Sequence, residues 1–148
     1  MIRAATLLDI HCITILKQKM FKEVGMEGLL KGNFVEEVEK TYKELYDLSK
    51  ATHYVIEHNN KIIACAGAFI KEDIPYCFYK EDKYGFIGDV YVDPEYRNQG
   101  YARRLTNEVL KWFSKREIHT IRLLASDNAK SLYKSIGFTE TDQMVFRT

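Results

Sequence analysis

The run Val90-Tyr91-Val92-Asp93-Pro94-Glu95-Tyr96-Arg97-Asn98-Gln99-Gly100-Tyr101-Ala102 leaves this chain few ways to fold. Val90 to Val92 read as a buried strand, Pro94 marks a turn, and Arg97-x-x-Gly100-x-Ala102 opens a helix. A helix that starts straight out of a turn has N–H groups without intrahelical partners. Its macrodipole adds about half a positive charge at that end. A pyrophosphate fits such a place. Gly100 removes the Cβ that would hold a phosphate away, and Ala102 keeps the next turn small.

Other phosphate motifs do not match. A Walker loop ends in Gly-Lys-Ser/Thr, but Gly100 is followed by Tyr101. A dinucleotide fingerprint needs three spaced glycines, and this turn has one. One glycine also describes an ordinary strand–turn–helix connection, so the motif needs support from the rest of the chain.

That remainder alternates strands and helices without a linker or a repeat. Residues 1–5 read as a strand, followed by Thr6 as N-cap with Asp9 as its capping-box partner. Ile10, Ile13, Leu16 and Met20 follow helical spacing. Gly28 and Gly32 break that helix, and Asn33 caps a second one, whose buried face is Val38, Tyr42, Leu45 and Leu48. Asn59-Asn60 joins strands 53–58 and 61–71 as a hairpin. Residues 71–83 form an aromatic-rich connection to a strand at 84–92. The helix after Gly100 buries Ala102, Leu105, Val109 and Trp112. A strand at 120–125, a helix at 128–136 closed by Gly137 and a last strand at 143–147 complete the order β-α-α-β-β-β-α-β-α-β. This is a mixed α+β layout (α/β/α) around a central sheet.

Composition narrows the function. A chain of 148 residues with 46% apolar residues suits one domain spanning 1–148. A net charge of +1 lacks the strongly basic face of a nucleic-acid binder. No run reaches the ~18–20 apolar residues of a membrane span, and Asp9 and His11 interrupt the first apolar stretch, so no signal peptide is expected. Cys12, Cys65 and Cys77 lack disulfide or metal spacing, and His11, His53, His58 and His119 are scattered. The expectation is a cytoplasmic protein with reduced thiols, surface or strand histidines and no metal.

Val90-x-Val92-x-Pro94-x-Tyr96-Arg97-x-x-Gly100-x-Ala102 resembles the cofactor signature of the GNAT superfamily of N-acetyltransferases. A second stretch, Asn128-Ala129-Lys130-Ser131-Leu132-Tyr133-Lys134-Ser135-Ile136-Gly137-Phe138, is similar to that family's Asn-x-x-Ala-x-x-x-Tyr-x-x-x-Gly-Phe segment, with Ala directly after Asn128. The opening Ile2-Arg3-Ala4-Ala5-Thr6-Leu7-Leu8-Asp9 looks like the family's first strand and helix start. The resemblance implies a central, mostly antiparallel sheet, splayed between two strands and flanked by helices. It also implies acetyl-CoA as donor, with the pantetheine arm in the splay.

Acetyl transfer to an amine needs a route for the amine proton, a donor to the carbonyl oxygen and a group that helps the thiolate leave. The resemblance puts the carbonyl donor among the backbone N–H groups of Val90, Tyr91 and Val92. Arg97, Asn98, Gln99, Gly100, Tyr101, Ala102 and Arg103 then surround the pyrophosphate, with Arg97 the foremost side chain. Asn128 caps its helix and touches the cofactor arm. Tyr133 matches the family's tyrosine near the sulfur, and it also reads as a core tyrosine. Asp89, a carboxylate within an apolar strand, is on the opposite face from Val90 and Val92. It acts as base or ammonium holder, or it is a structural carboxylate.

The acceptor is open to several classes of amine. Tyr76, Phe78, Tyr79 and Tyr84 either wall its pocket or cover the core, whereas the acidic residues of 36–47 alternate with lysines as on a solvated face. The leading reading is an N-acetyltransferase that moves the acetyl group of acetyl-CoA directly to a primary amine of a small molecule. A protein or peptide acetyltransferase, a non-catalytic acyl-CoA sensor and an interaction protein are alternatives. The last strand offers an exposed edge for a homodimer.

Overall fold

In the computed structural model, residues 1–30, 32–75, 81–141 and 143–148 are described. Strands β1 (Ile2–Ala4), β2 (Ala51–His58), β3 (Lys61–Glu72), β4 (Lys83–Val92) and β5 (Ile121–Leu123) form one sheet in sequence order. Pairing is antiparallel from β1 to β4, and parallel between β4 and β5. The helices are α1 (Ile10–Glu23), α2 (Phe34–Asp47), α3 (Tyr101–Ser114) and α4 (Lys130–Ile136). This is the α+β arrangement expected, with a mostly antiparallel sheet between helices.

The sheet is covered on both faces. On one, Ala64, Ala66 and Ala68 of β3 leave room for α3, whose Leu105, Val109, Trp112 and Phe113 fill the layer. On the other, Val55, Cys65 and Tyr91 meet Ile10, Ile13 and Leu16 of α1 and Tyr42 of α2. Strand β3 is therefore apolar on both sides, whereas β2 buries Ala51, His53 and Val55 in alternation. The hairpin turn puts Asn59 and Asn60 at φ 50° and 60°, the left-handed pair that a two-residue turn requires.

The start of the chain is pinned electrostatically. Asp9 accepts Thr6 N–H at 2.8 Å and two bonds from the Arg3 guanidinium at 2.7 and 3.0 Å. The hydrogen bonds from Arg3 hold the Asp9 carboxyl down at about 2, against the opposing effect of its burial. A carboxylate with a depressed folded pKa stabilises above its unfolded value and loses that contribution as pH falls through the folded one. Asp9→Asn should therefore lower stability by about 2 kcal/mol at pH 6, with the difference shrinking between about pH 4 and pH 2. Urea unfolding of both proteins across that range measures it; a constant difference would contradict the account.

Four sequence expectations need correction. Leu48 is 63% exposed because α2 stops at Asp47, and Tyr46 shares the inner face in its place. Asn33 stands at the α2 N-cap, but its amide bonds the Glu37 side chain at 2.8 Å and not a backbone N–H. Asn128 precedes the α4 N-cap, which is Ala129. Residues 143–147 form no strand: Met144 and Phe146 are about 90% exposed, so their alternation covers no apolar layer. The edge on which a second copy was expected to pair is thus not a strand.

Candidate functional site

Strand β4 governs the site through a change of phase. Its ladder with β5 runs from Gly85↔Ile121 to Ile87↔Leu123 and ends, while β4 continues to Val92. Just past that point Asp89 has φ +57°, and the register with β3 slips between Gly67↔Gly88 and Cys65↔Tyr91. This is a β-bulge: Asp89 and Val90 oppose the single residue Ala66. Before it, Ile87 faces α3; after it, Val90 and Val92 do, and Asp89 and Tyr91 face α1 and α2.

The bulge also decides where backbone donors point. Gly85 N–H bonds Thr120 O beside β5, at 2.8 Å, and Asp93 N–H bonds Ile63 O on β3, at 2.8 Å. Strand alternation from Asp93 turns the N–H groups of Val92 and Val90 away from β3, toward the gap where β5 has ended. Val90 and Val92 thus present donors along the β4 edge beyond β5, whereas the Tyr91 N–H turns to β3.

At the end of this edge stands the α3 N-terminus. Gly100 has φ +79° and Asn98 +63°, so the chain turns through two left-handed residues before the helix begins. The first backbone bond back to this turn is from Arg104 N–H to Gly100 O, at 3.1 Å, so the N–H groups of Tyr101, Ala102 and Arg103 precede the helical ladder. No atom lies within 4 Å of a Cβ built on Gly100, so its backbone conformation is what calls for glycine inside the free protein. A cradle open on this side and rich in donors suits a pyrophosphate.

Arg97 is engaged within the free protein. Its Nη2 bonds both carboxylate oxygens of Glu23 at 2.9 and 2.8 Å, and its Nε bonds Val92 O at 2.8 Å. Tyr91 OH donates to the same Glu23 at 2.8 Å. In the free protein the guanidinium thus braces the end of α1 against the end of β4. Arg103 reaches across to Ser135 Oγ at 2.6 Å and ties α3 to α4.

Tyr133 is 7% exposed, its ring edge-on to Phe138 with centroids 5.8 Å apart. Burial raises its phenol above the ordinary tyrosine value. It lines a cavity of about 500 Å³ together with Tyr84 and Phe86 of β4, Leu123 and Leu124 at the end of β5, and Phe138. So Tyr133 stands beside the β4–β5 ladder and the end of β5. Tyr84 lines this cavity; Tyr76, Phe78 and Tyr79 lie outside the described residues.

Asp89 is almost wholly enclosed. Its carboxylate accepts from Lys17 Nζ, from Tyr42 OH and from His53 Nε2, the last at 2.8 Å. Burial alone would raise this carboxyl, but His53 and Lys17 outweigh it and hold it well below the usual carboxylate range. The sequence reading missed these partners. His53 is fully buried, with Tyr46 OH 2.7 Å from its Nδ1. Two signals were present: His53 falls on the inward alternation of β2, and Tyr42 and Tyr46 are one turn apart on α2.

Comparison with known proteins agrees with this geometry. The pattern of the Acetyltransferase (GNAT) family matches residues 23–138. The chain is 36% identical over 52 residues to GCN5-related N-acetyltransferase 2, chloroplastic, of Arabidopsis thaliana, covering 35% of this chain and 20% of that protein. It is 26% identical over 118 residues to an uncharacterized N-acetyltransferase of Gracilaria tenuistipitata var. liui, covering 66% and 63%. It therefore spans less than two thirds of either curated relative. Among solved structures, a predicted acetyltransferase with acetyl-CoA from Clostridium acetobutylicum superposes with TM-score 0.90 at 24% identity, over 100% of this chain and 95% of that one. A GCN5-related N-acetyltransferase from Ralstonia eutropha gives 0.83 at 22%, over 100% and 97%. With the family pattern spanning most of its length and the mostly antiparallel five-stranded sheet between helices in place, the chain belongs to the GNAT acetyltransferase family.

Proposed function

We propose that this protein transfers the acetyl group of acetyl-CoA to a primary amine of a small-molecule acceptor. The observation that carries this reading is the β4 edge beyond the β5 ladder: the Val90 and Val92 N–H groups along it and the α3 N-terminus at one end, with Tyr133 in the cavity beside the ladder itself. The residues fit the donor. Three N–H groups and a left-handed glycine suit its pyrophosphate, and the strand-edge amides of Val90 and Val92 suit its thioester carbonyl. When bound, acetyl-CoA supplies a thioester carbonyl open to attack by an amine.

The chain's own groups then have distinct tasks. The amides of Val90 and Val92 donate to the thioester carbonyl and to the negative charge that grows on its oxygen. The Tyr133 hydroxyl, kept protonated by burial, donates a hydrogen bond to the departing sulfur. A C–N bond forms, the C–S bond breaks, and the proton lost by the amine passes through solvent to the thiolate. Asp89 is a poor proton acceptor, because three donors already stabilise its charge. The aromatic cavity beside Tyr133 is of a size for a small acceptor.

Thiol release from acetyl-CoA in the presence of a broad panel of amines tests the reading. Amine-dependent release with a matching acetylated product supports it. Binding of acetyl-CoA without release with any amine points to a sensor, and acetylation confined to peptides overturns the small-molecule acceptor.

A further inference from the structure

Asp89 occupies a backbone conformation that few residues other than glycine adopt, in mid-strand, at φ +57°. Asparagine and aspartate tolerate it best, but some strain remains and the surroundings must hold it. Here four elements do so. Lys17 comes from α1, Tyr42 from α2 and His53 from β2, all to the carboxylate. Cys65 of β3 donates its thiol to Asp89 O at 3.1 Å. His53 is itself fixed by Tyr46 OH.

The bulge is what aims the Val90 and Val92 amides at the gap beyond β5. Removing the extra residue from the ladder would reverse the alternation and send those two N–H groups toward β3. The geometry points to Lys17, Tyr42 and His53 as positioning residues, which act through the Asp89 bulge to aim the Val90 and Val92 N–H groups at the acyl thioester. This rests on the acetyl-transfer reading, and it gives the buried carboxylate a task other than taking a proton. Lys17 stands at the partly exposed margin of the cluster, between the rings of Phe21 and Tyr42 at 5.7 and 5.9 Å. It neutralises the charge, while Tyr42 and His53 fix its direction.

The test compares acetyl-CoA with free CoA, because only the first carries the carbonyl those amides face. Calorimetric titration of the full chain with each should show Tyr42→Phe losing about fivefold in acetyl-CoA affinity, with CoA affinity within about twofold. Lys17→Met, at the solvent margin, should give the same selective loss should Tyr42→Phe fold poorly. Tyr42→Phe combined with Asp89→Asn should lose less than the two separate losses multiplied together, since Tyr42 acts through Asp89. Equal losses for both ligands, no loss for either, or independent effects would overturn the positioning role. Failure of the unaltered protein to bind either ligand would overturn the acetyl-transfer reading as well, which distinguishes the two failures.

Discussion

Tyr133→Phe is expected to lower kcat by about 10- to 100-fold while leaving the acetyl-CoA dissociation constant within about twofold. The ring fills the same volume against Phe138 and loses only a hydroxyl. Among the described residues no hydrogen bond reaches that hydroxyl, so its removal leaves no partner stranded. A phenol whose work is packing would tolerate the change, whereas one that donates to a leaving thiolate loses a charged hydrogen bond, about 1.5–3 kcal/mol. Placing the loss in kcat and not in binding matters, because only an interaction stronger in the transition state behaves so. Steady-state rates and titrations on the two proteins decide it. Unchanged turnover would return Tyr133 to the core.

Gly100→Glu is expected to weaken acetyl-CoA binding by about 100-fold or more while the protein still folds. Space is not the reason within the free protein, since nothing lies within 4 Å of the added Cβ. Two effects act on the ligand side. The φ of +79° costs a non-glycine residue about 1–2 kcal/mol and tilts the cradle toward other conformations. The new carboxylate also faces a pyrophosphate at a helix end that favours a single anion. Gly100→Asn separates the two, as asparagine tolerates the left-handed region without adding charge, and should lose less. Comparable losses for both substitutions would assign the effect to the backbone alone.

These two positions were legible in the sequence for different reasons. Gly100 announces itself because one turn needs a conformation that one residue type supplies, and the strand before it and the helix after it fix its place. Tyr133 was visible only through its resemblance to a family segment; helical spacing by itself makes it a core residue. The strand order followed from local signals such as Asn59-Asn60 and Pro94. The β4 bulge had no such signal. Asp89 looked odd in an apolar strand, but nothing nearby shows that the alternation slips there, because the slip is set by pairing with β3, more than twenty residues away.

The same distance hid the donors to Asp89. Lys17, Tyr42 and His53 are spread over α1, α2 and β2, and each alone reads as a common helix or strand residue. Arg97 has a hidden partner of the same kind: its motif position suggests a phosphate, and nothing local announces Glu23, seventy-four residues earlier, which it bonds in the free protein. At the C-terminus, the alternation of residues 143–147 imitates a strand, but a strand needs a partner and a face to cover. Local chemistry thus shows through the sequence, while side-chain networks that join distant segments do not.

Calorimetric titration of the purified protein with acetyl-CoA tests the central claim most directly. Micromolar binding, lost in Gly100→Glu, is the predicted result. No binding by the unaltered protein would contradict it, leaving the cradle as an ordinary strand–turn–helix connection and the family fold without its donor.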